Sequence, residues 1–432
     1  MKKMAWIVIA LVIVSLSVLP VSASDISYNI RSTVYDNKDP SQNIGDFYWD
    51  ASSFSGFWYM IKPGFSSELL YFDNNVNSSS TFQLGDTVEK GDLYYVSKPQ
   101  IKKSKIGDMD NGSTFIVDGV DLKRYYLMGF FGSPYLSIPE NPADLSAGCQ
   151  PDTIAKILME TDDSKKQLSS GDEWELAGGW SLVVQQVDVE GKKVWLQLNK
   201  GGEEIDTAVV SGDKDLASTQ RTYLYKDEDD NPIFYCYIDS VFQGTADSLV
   251  VFKYVFLRGD ITEIETGDSY GAFEVEGFKV PAIMNGVNYA GSGSGTVLHT
   301  GDNALVMSSN KDITLNPDKT FDLYGDMYLK TEDTSSPVLK MTLWKTVMIK
   351  VPDAVIDENE SSEGEKMVIV DLAEESDDDK GTNPKSSGTD EVDASSDSIN
   401  DGTAVESSVY APGFELVFGV LGLLCAILVK RN

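Results

Sequence analysis

The segment VVQQVDV (residues 183–189) is followed by the short turn EGK (residues 190–192) and then by VWLQL (residues 194–198). Both runs are rich in β-branched and aromatic residues that alternate with polar ones, which is typical of strands with one buried face. A short turn that contains glycine between two such runs predicts a β-hairpin. The fold prediction extends outward from this hairpin.

The same pattern recurs along most of the chain. Further strands are predicted at residues 204–210, 223–225, 233–238, 249–257, 272–278, 304–308, 321–329 and 338–349. The best helical candidate is Thr153–Met159, in which Ile154 and Ile157 share one face. Many short strands joined by glycine-rich turns predict an all-β chain of two linked β-sandwich domains, residues 24–261 and 262–352.

The regions that flank this body differ from it in composition. Residues 1–23 combine a basic start, an apolar run and the small-residue site Val21-Ser22-Ala23, which together indicate a secretory signal peptide. Residues 353–409 hold 18 Asp and Glu against 3 Lys and no aromatic residue. Such a segment cannot bury enough apolar surface to fold, so we expect a disordered acidic stalk. One apolar island, Met367–Val370, interrupts it, and the sequence assigns that island no role.

The charge balance restricts the kinds of partner. The formal net charge is −33, of which the acidic segment carries −15 and the rest of the chain −18. A surface of this sign repels the phosphate backbone, so a nucleic-acid partner is excluded. The chain has one histidine, His299, and none of the common catalytic motifs. We therefore expect a protein that is not an enzyme and has no cofactor-binding residues.

Two small groups of residues are candidates for specific sites. Asp227, Asp229 and Asp230 lie in a predicted hairpin turn, where clustered carboxylates either bind Ca²⁺ or form an ordinary polar turn. Cys149 and Cys236 either form a disulfide in an oxidising exterior or remain as two buried free thiols.

Three Asn-x-Ser/Thr sequences are candidate glycosylation sites. They begin at Asn77, Asn111 and Asn359, and on a secreted chain each is a plausible acceptor in an exposed loop. Asn77 lies in a polar run and is the best of the three.

The last stretch, residues 410–432, predicts attachment to a membrane. The apolar run Leu416–Val429 is followed by two basic residues, which indicates a short C-terminal transmembrane helix with the preceding chain outside the cell. Pro412, Gly413 and Phe414 stand just before this run. The tripeptide, short helix and basic end together resemble the PGF-CTERM sorting signal of archaeal surface proteins. The resemblance implies that an archaeosortase removes the segment and that the new C-terminus is joined to a lipid.

A series of short motifs spans about residues 30–350. They are Trp49-Asp50-Ala51, Phe54–Tyr59, Lys123–Tyr126, Ser170–Leu176, Gly179–Leu182, Val187–Gly191, Val194–Leu198 and Phe321–Met327. In their order and spacing the chain resembles the S-layer family duplication domain of methanogenic archaea. The resemblance implies linked β-sandwiches that tile a proteinaceous cell envelope.

These features together predict an exported structural protein of the archaeal cell surface. We expect an S-layer subunit or an S-layer-like envelope component, tethered to the cytoplasmic membrane at its C-terminus. Its partners would be copies of itself or related subunits in a lattice. The alternative is a membrane-tethered accessory module that binds a glycan, an ion or a neighbouring cell.

Overall fold

A computed structural model describes residues 24–39, 47–61, 64–74, 81–109, 111–244, 247–289 and 297–351. The predicted signal peptide, the acidic segment 353–409 and the C-terminal segment 410–432 lie outside the described residues. So do the candidate acceptors Asn77 and Asn359. Within the described ranges, no helix has the length and apolar character needed to cross a membrane.

The described residues form 29 β-strands. The first fifteen are β1 (Ser24–Arg31), β2 (Tyr35–Asp36), β3 (Phe47–Asp50), β4 (Tyr59–Met60), β5 (Phe65–Ser66), β6 (Glu68–Phe72), β7 (Thr87–Val88), β8 (Leu93–Ser97), β9 (Gln100–Lys103), β10 (Ile116–Val117), β11 (Val120–Asp121), β12 (Arg124–Phe130), β13 (Ser133–Pro139), β14 (Cys149–Glu160) and β15 (Lys166–Ser169). The others are β16 (Glu173–Glu175), β17 (Trp180–Asp188), β18 (Lys193–Lys200), β19 (Glu203–Ser211), β20 (Thr222–Lys226), β21 (Pro232–Gln243), β22 (Ser248–Glu263), β23 (Ser269–Tyr270), β24 (Phe273–Lys279), β25 (Asn303–Ser309), β26 (Ile313–Thr314), β27 (Thr320–Tyr324), β28 (Met327–Thr331) and β29 (Lys340–Val351). Short 3₁₀ turns occur at Ile106–Met109, Leu145–Ala147, Ala177–Gly179, Ser218–Arg221 and Ala282–Met284.

The prediction of an all-β chain is confirmed, and so is the hairpin from which it was drawn. Strands β17 and β18 pair antiparallel, with Val183 opposite Gln197, and β19 pairs with the other edge of β18. In β18 the side chains of Val194 and Leu196 are buried, whereas Trp195 between them is exposed. The alternation that predicts a half-buried strand is therefore present residue by residue.

The predicted helix at Thr153–Met159 is wrong, because these residues lie in strand β14 between β13 and β22. Ile154 packs into one core and Ile157 into another, so the strand buries residues on both of its faces. Its pairing with β22 shifts register on each side of Ile157. In a strand with such irregularities and two buried faces, the apolar residues have a spacing that resembles one face of a helix. The segment is nevertheless a strand, because it pairs with a neighbouring strand on each of its edges.

One half of the architecture, here called the terminal body, contains both ends of the described chain. A six-stranded sheet in the order β23-β24-β25-β8-β6-β3 packs against a five-stranded sheet in which β2 and β1 pair with β29, followed by β28 and β27. The core between the two sheets includes the buried side chains of Trp49, Phe72, Tyr95, Phe273, Met307, Leu329 and Leu343. Burial of this apolar surface is the main favourable contribution to the stability of the body.

The other half, here called the central body, is formed by β9 to β22. An eight-stranded sheet in the order β20-β21-β22-β14-β13-β12-β9, with β15 also paired to β22, packs against the four-stranded sheet β16-β17-β18-β19. Its core includes Leu182, Leu196, Leu198, Phe234, Ile238, Phe252 and Leu257. The predicted hairpin therefore supplies one face of this sandwich.

The chain passes from the terminal body into the central body and then returns. β8 pairs with β25, and β1 pairs with β29 so that Ser24 lies opposite Val351. Strands from both sides of the predicted domain boundary at residue 261 therefore share these sheets. The two ends of the described chain lie side by side.

Candidate functional site

A buried carboxylate, Glu68, lies where the terminal body meets the turn between β12 and β13. One of its oxygens accepts a hydrogen bond from the backbone N–H of Trp58 at 2.7 Å. The other accepts from the hydroxyl of Tyr95 at 2.7 Å and from the backbone N–H of Gly132 at 2.8 Å. Burial raises the pKa of Glu68, and these hydrogen bonds oppose the rise. These hydrogen bonds make the carboxylate a junction between parts of the structure. Because it is fully enclosed, a substrate cannot reach it.

A partly buried lysine completes this junction. The ammonium of Lys345 donates to the carbonyl oxygens of Phe131 at 2.9 Å and Gly56 at 3.2 Å. Burial lowers the pKa of Lys345, and the charge of Glu68 acts in the opposite direction. Gly132 has a φ of +81°, and a Cβ there would lie 2.2 Å from the Gly56 carbonyl oxygen. The turn therefore requires glycine at this position.

A second buried carboxylate belongs to the central body. The ammonium of Lys102 lies 2.5 Å from Glu160, and both side chains are almost completely buried. The hydroxyl of Tyr125 donates to the same Glu160 oxygen at 3.0 Å. Burial lowers the pKa of Lys102, although the neighbouring Glu160 opposes that shift. This group ties β9, β12 and β14 together, and its two charged members, Lys102 and Glu160, are buried.

The proposed Ca²⁺ ligands do not converge on one point. Asp227 lies 2.6 Å from the guanidinium of Arg258, and its other oxygen accepts from the backbone N–H groups of Asp229 and Asn231. Asp230 pairs with Lys226 at 2.6 Å. Across the described ranges, no group of three or more His, Cys, Asp or Glu side chains is arranged to hold a metal ion. The geometry favours the polar-turn alternative.

The two cysteines lie in different hydrophobic clusters. Cys149 is buried beside Tyr126 and Leu145, and Cys236 is buried in the core of the central body. Both are free thiols in the structure. Burial raises the pKa of Cys149 to about 11 and also raises that of Cys236. Protonated, enclosed thiols of this kind react poorly.

We therefore expect Cys149 and Cys236 to resist alkylation in the folded chain and to react fully with iodoacetamide once it is unfolded without reductant. Mass spectrometry of the two cysteine peptides would measure this directly. Lack of labelling in the unfolded, unreduced chain, reversed by reductant, would instead show that the two residues form disulfides.

The other predicted site residues are mostly beyond the described ranges. Asn111 is exposed, as a glycosylation acceptor must be. Pro412, Gly413 and Phe414 lie outside the described residues, and His299 is exposed at a turn near Asp302.

The outer side of the four-stranded sheet carries the surface best suited to contact another molecule. Trp195 and Val209 lie directly opposite each other on β18 and β19 and are 46% and 65% exposed. Beside them, Gln185 and Gln197 are joined by a 2.5 Å hydrogen bond, and Thr207 lies opposite Gln197. We call these five residues the β18 face. It is uncharged, although the protein as a whole is strongly acidic.

Sequence reasoning identified Trp195 as a strand residue and assigned it no further role. The alternation of the strand does predict that Trp195 is exposed, because Val194, Leu196 and Leu198 face inward and the residue between them must face solvent. An exposed tryptophan beside an exposed β-branched residue is typical of interaction surfaces.

The chain is similar to S-layer proteins both in its match to a family model and in its curated relatives. A family model described as "S-layer protein" matches residues 36–285. The chain is 29% identical over 413 residues to the Major S-layer protein of Methanosarcina acetivorans, which covers 94% of this chain and 52% of that protein. It is 27% identical over 350 residues to the Major S-layer protein of Methanosarcina barkeri, which covers 80% of this chain and 46% of that protein. The chain thus spans about half the length of these curated relatives.

Proposed function

The chain belongs to the S-layer protein family, and from this premise we propose that it is a structural subunit of an archaeal S-layer. In that role, copies of the chain, or the chain and related subunits, would pack side by side into a surface lattice. The relatives that carry the name Major S-layer protein support this role.

The observation that best supports self-association is the β18 face. Two copies of an acidic protein repel each other over most of their surfaces, and this repulsion is weakest where the contact is uncharged. Covering Trp195 and Val209 would remove two large apolar side chains from water, each a favourable contribution of about 1.5–3 kcal/mol. The β18 face is therefore the contact surface that we assign to the lattice.

The ends of the chain supply the rest of the proposal. The signal sequence at residues 1–23 would export the protein, and residues 353–409 would hold the body away from the membrane. Residues 410–432 would attach it, either as a short anchor or after archaeosortase processing at Pro412, Gly413 and Phe414. Glycans at Asn77, Asn111 or Asn359 would then face the exterior.

One observation favours the second candidate function, a tethered accessory binding module. On the outer side of the five-stranded sheet the rings of Tyr328 and Trp344 are parallel to within 4°, with centroids 6.3 Å apart. The ammonium of Lys330 lies 5.3 Å and 5.1 Å from the two ring centroids. Flat aromatic surfaces with nearby polar groups suit the binding of sugar rings or extended chains.

Assembly of the purified full chain into sheets separates the two functions. We expect Trp195→Gln combined with Val209→Thr to raise the threshold concentration for sheet formation at least about tenfold, since a loss of 1.4 kcal/mol is a tenfold change. Sedimentation velocity and electron microscopy would measure the threshold.

Ile61→Thr is the matched control, because Ile61 is also 65% exposed but lies far along the chain from the β18 face. It should leave the threshold unchanged. An equal threshold for all three proteins would remove the β18 face from the proposal. A wild-type chain that stays monomeric at every concentration tested, alone and mixed with isolated envelope, would favour the accessory binding module.

A further inference from the structure

The central body contains a surface pocket that is separate from the β18 face. It is partly open to solvent and lies between β11–β13 and the start of β21. Its wall is largely apolar and includes Leu122, Leu136, Ile138, Pro142, Leu145 and Phe256. A pocket of this composition is suited to aliphatic side chains.

Asn231 gives this pocket a polar group without a partner. The residue is 4% exposed, and its side-chain oxygen has no hydrogen-bond partner among the described residues. The orientation of the amide is fixed, because its NH₂ group donates to Asp227 at 3.3 Å. A buried acceptor of this kind costs about 1–3 kcal/mol when it is left unpaired. The oxygen itself is closed to solvent in the structure, so an occupant with an N–H or O–H donor would pair with it only after a small movement of the pocket wall.

Arg124 adds a charge at the edge of the pocket. Its side chain is exposed and lines the pocket. Across the described ranges, its guanidinium has no ion pair or side-chain hydrogen bond. An occupant that carries a carboxylate next to its apolar part would complement this cation.

A short aliphatic peptide segment with acidic neighbours has all three properties. Its side chains fit an apolar wall, its backbone supplies N–H donors, and its flanking residues supply carboxylates. The chain carries one such segment in its acidic region, Met367-Val368-Ile369-Val370, which follows Glu365-Lys366 and precedes Asp371. We propose that this island docks in the Arg124 pocket of its own chain, with a backbone N–H directed to Asn231 and an adjacent carboxylate near Arg124.

The length of chain between the body and the island allows this. Met367 follows Val351, the last described residue, by 16 positions, and at ~3.3–3.6 Å per residue an extended chain of that length spans about 55 Å. A compact body of this size has a radius of gyration of about 20 Å. The short tether also gives the island a millimolar effective concentration at the pocket, which favours docking within one chain over docking between copies.

Docking would change how the acidic segment acts. Residues 352–366 would form a loop against the body, and only the residues after Asp371 would extend toward the membrane. The proposal explains why an aliphatic run occurs in an otherwise polar segment. It does not depend on the lattice function, since a single monomer suffices.

Photo-crosslinking of the full-length chain in detergent tests the proposal. Ile369 is replaced by p-benzoyl-phenylalanine, the protein is irradiated, and cross-linked peptides are mapped by mass spectrometry. We expect cross-links to residues 120–145 or 231–256 of the same chain. A mixture of isotopically light and heavy copies distinguishes links within a chain from links between chains.

Arg124→Glu should reduce the yield of these cross-links about tenfold, because it places an acid beside Glu365 and Asp371. Lys319→Glu, an identical charge change at an exposed position of the terminal body, should leave the yield unchanged. The proposal is overturned by cross-links confined to other surfaces, by light-to-heavy links alone, or by equal loss in both variants. Absence of any cross-link, with the incorporated residue verified, also overturns it.

Discussion

Replacing Glu68 by alanine is expected to lower the free energy of unfolding by about 4 kcal/mol. The substitution leaves three donors without an acceptor, namely the N–H groups of buried Trp58 and partly buried Gly132 and the hydroxyl of buried Tyr95. It also opens space next to the partly buried ammonium of Lys345. A domain is typically stable by only about 5–15 kcal/mol, so the loss is a substantial fraction of the total.

Urea unfolding followed by circular dichroism and tryptophan fluorescence would measure this change. Glu68→Gln retains one acceptor oxygen and should cost less than the alanine substitution. The control is Glu89→Ala, since Glu89 is exposed on the same body. A loss for Glu68→Ala no larger than that for Glu89→Ala would contradict the role given to Glu68 at the junction.

Substituting Lys102 by methionine is expected to cost about 3–5 kcal/mol, because Glu160 then remains as a buried charge without its partner. Glu160→Gln alone should also destabilise the chain, since it leaves the ammonium of Lys102 uncompensated. The double variant, Lys102→Met with Glu160→Gln, should recover most of the loss. The resulting coupling free energy is obtained from a double-mutant cycle of urea unfolding experiments.

The neighbouring residue in β9 provides a matched control. Lys103 pairs with Asp108 at 2.7 Å, but both side chains are about half exposed. Exposed pairs contribute roughly 0–1 kcal/mol, so Lys103→Met should have little effect. Equal losses for the two lysine variants would show that burial of the Lys102–Glu160 pair does not determine its contribution.

Local patterns were enough to predict the strand class and its clearest hairpin. Alternation at residues 183–198 depends only on neighbouring positions, and the structure preserves it in β17 and β18. The same approach failed at Thr153–Met159, where the spacing of apolar residues reflects two different cores and an irregular register. Periodicity carries no information about which sheets will enclose a strand.

Long-range pairing limited what could be predicted of the sites. Among 68 acidic residues, nothing in the local sequence separates Glu68 and Glu160 from those on the surface, because their burial depends on how distant strands come together. Asp227 illustrates the same limit. It reads as part of an acidic turn, whereas the structure pairs it with Arg258, 31 residues further along.

The pairing of β1 with β29 has a mechanical consequence. Any pull on the segment after Val351 is applied along the axis of β29, a strand held on one side by the eight residues of β1 and on the other by β28. Antiparallel hydrogen bonds lie perpendicular to the strands, so this load is shared by many of them at once and does not break them one after another. The terminal body is therefore built to carry a load applied after Val351 into the sheet without unravelling from its end.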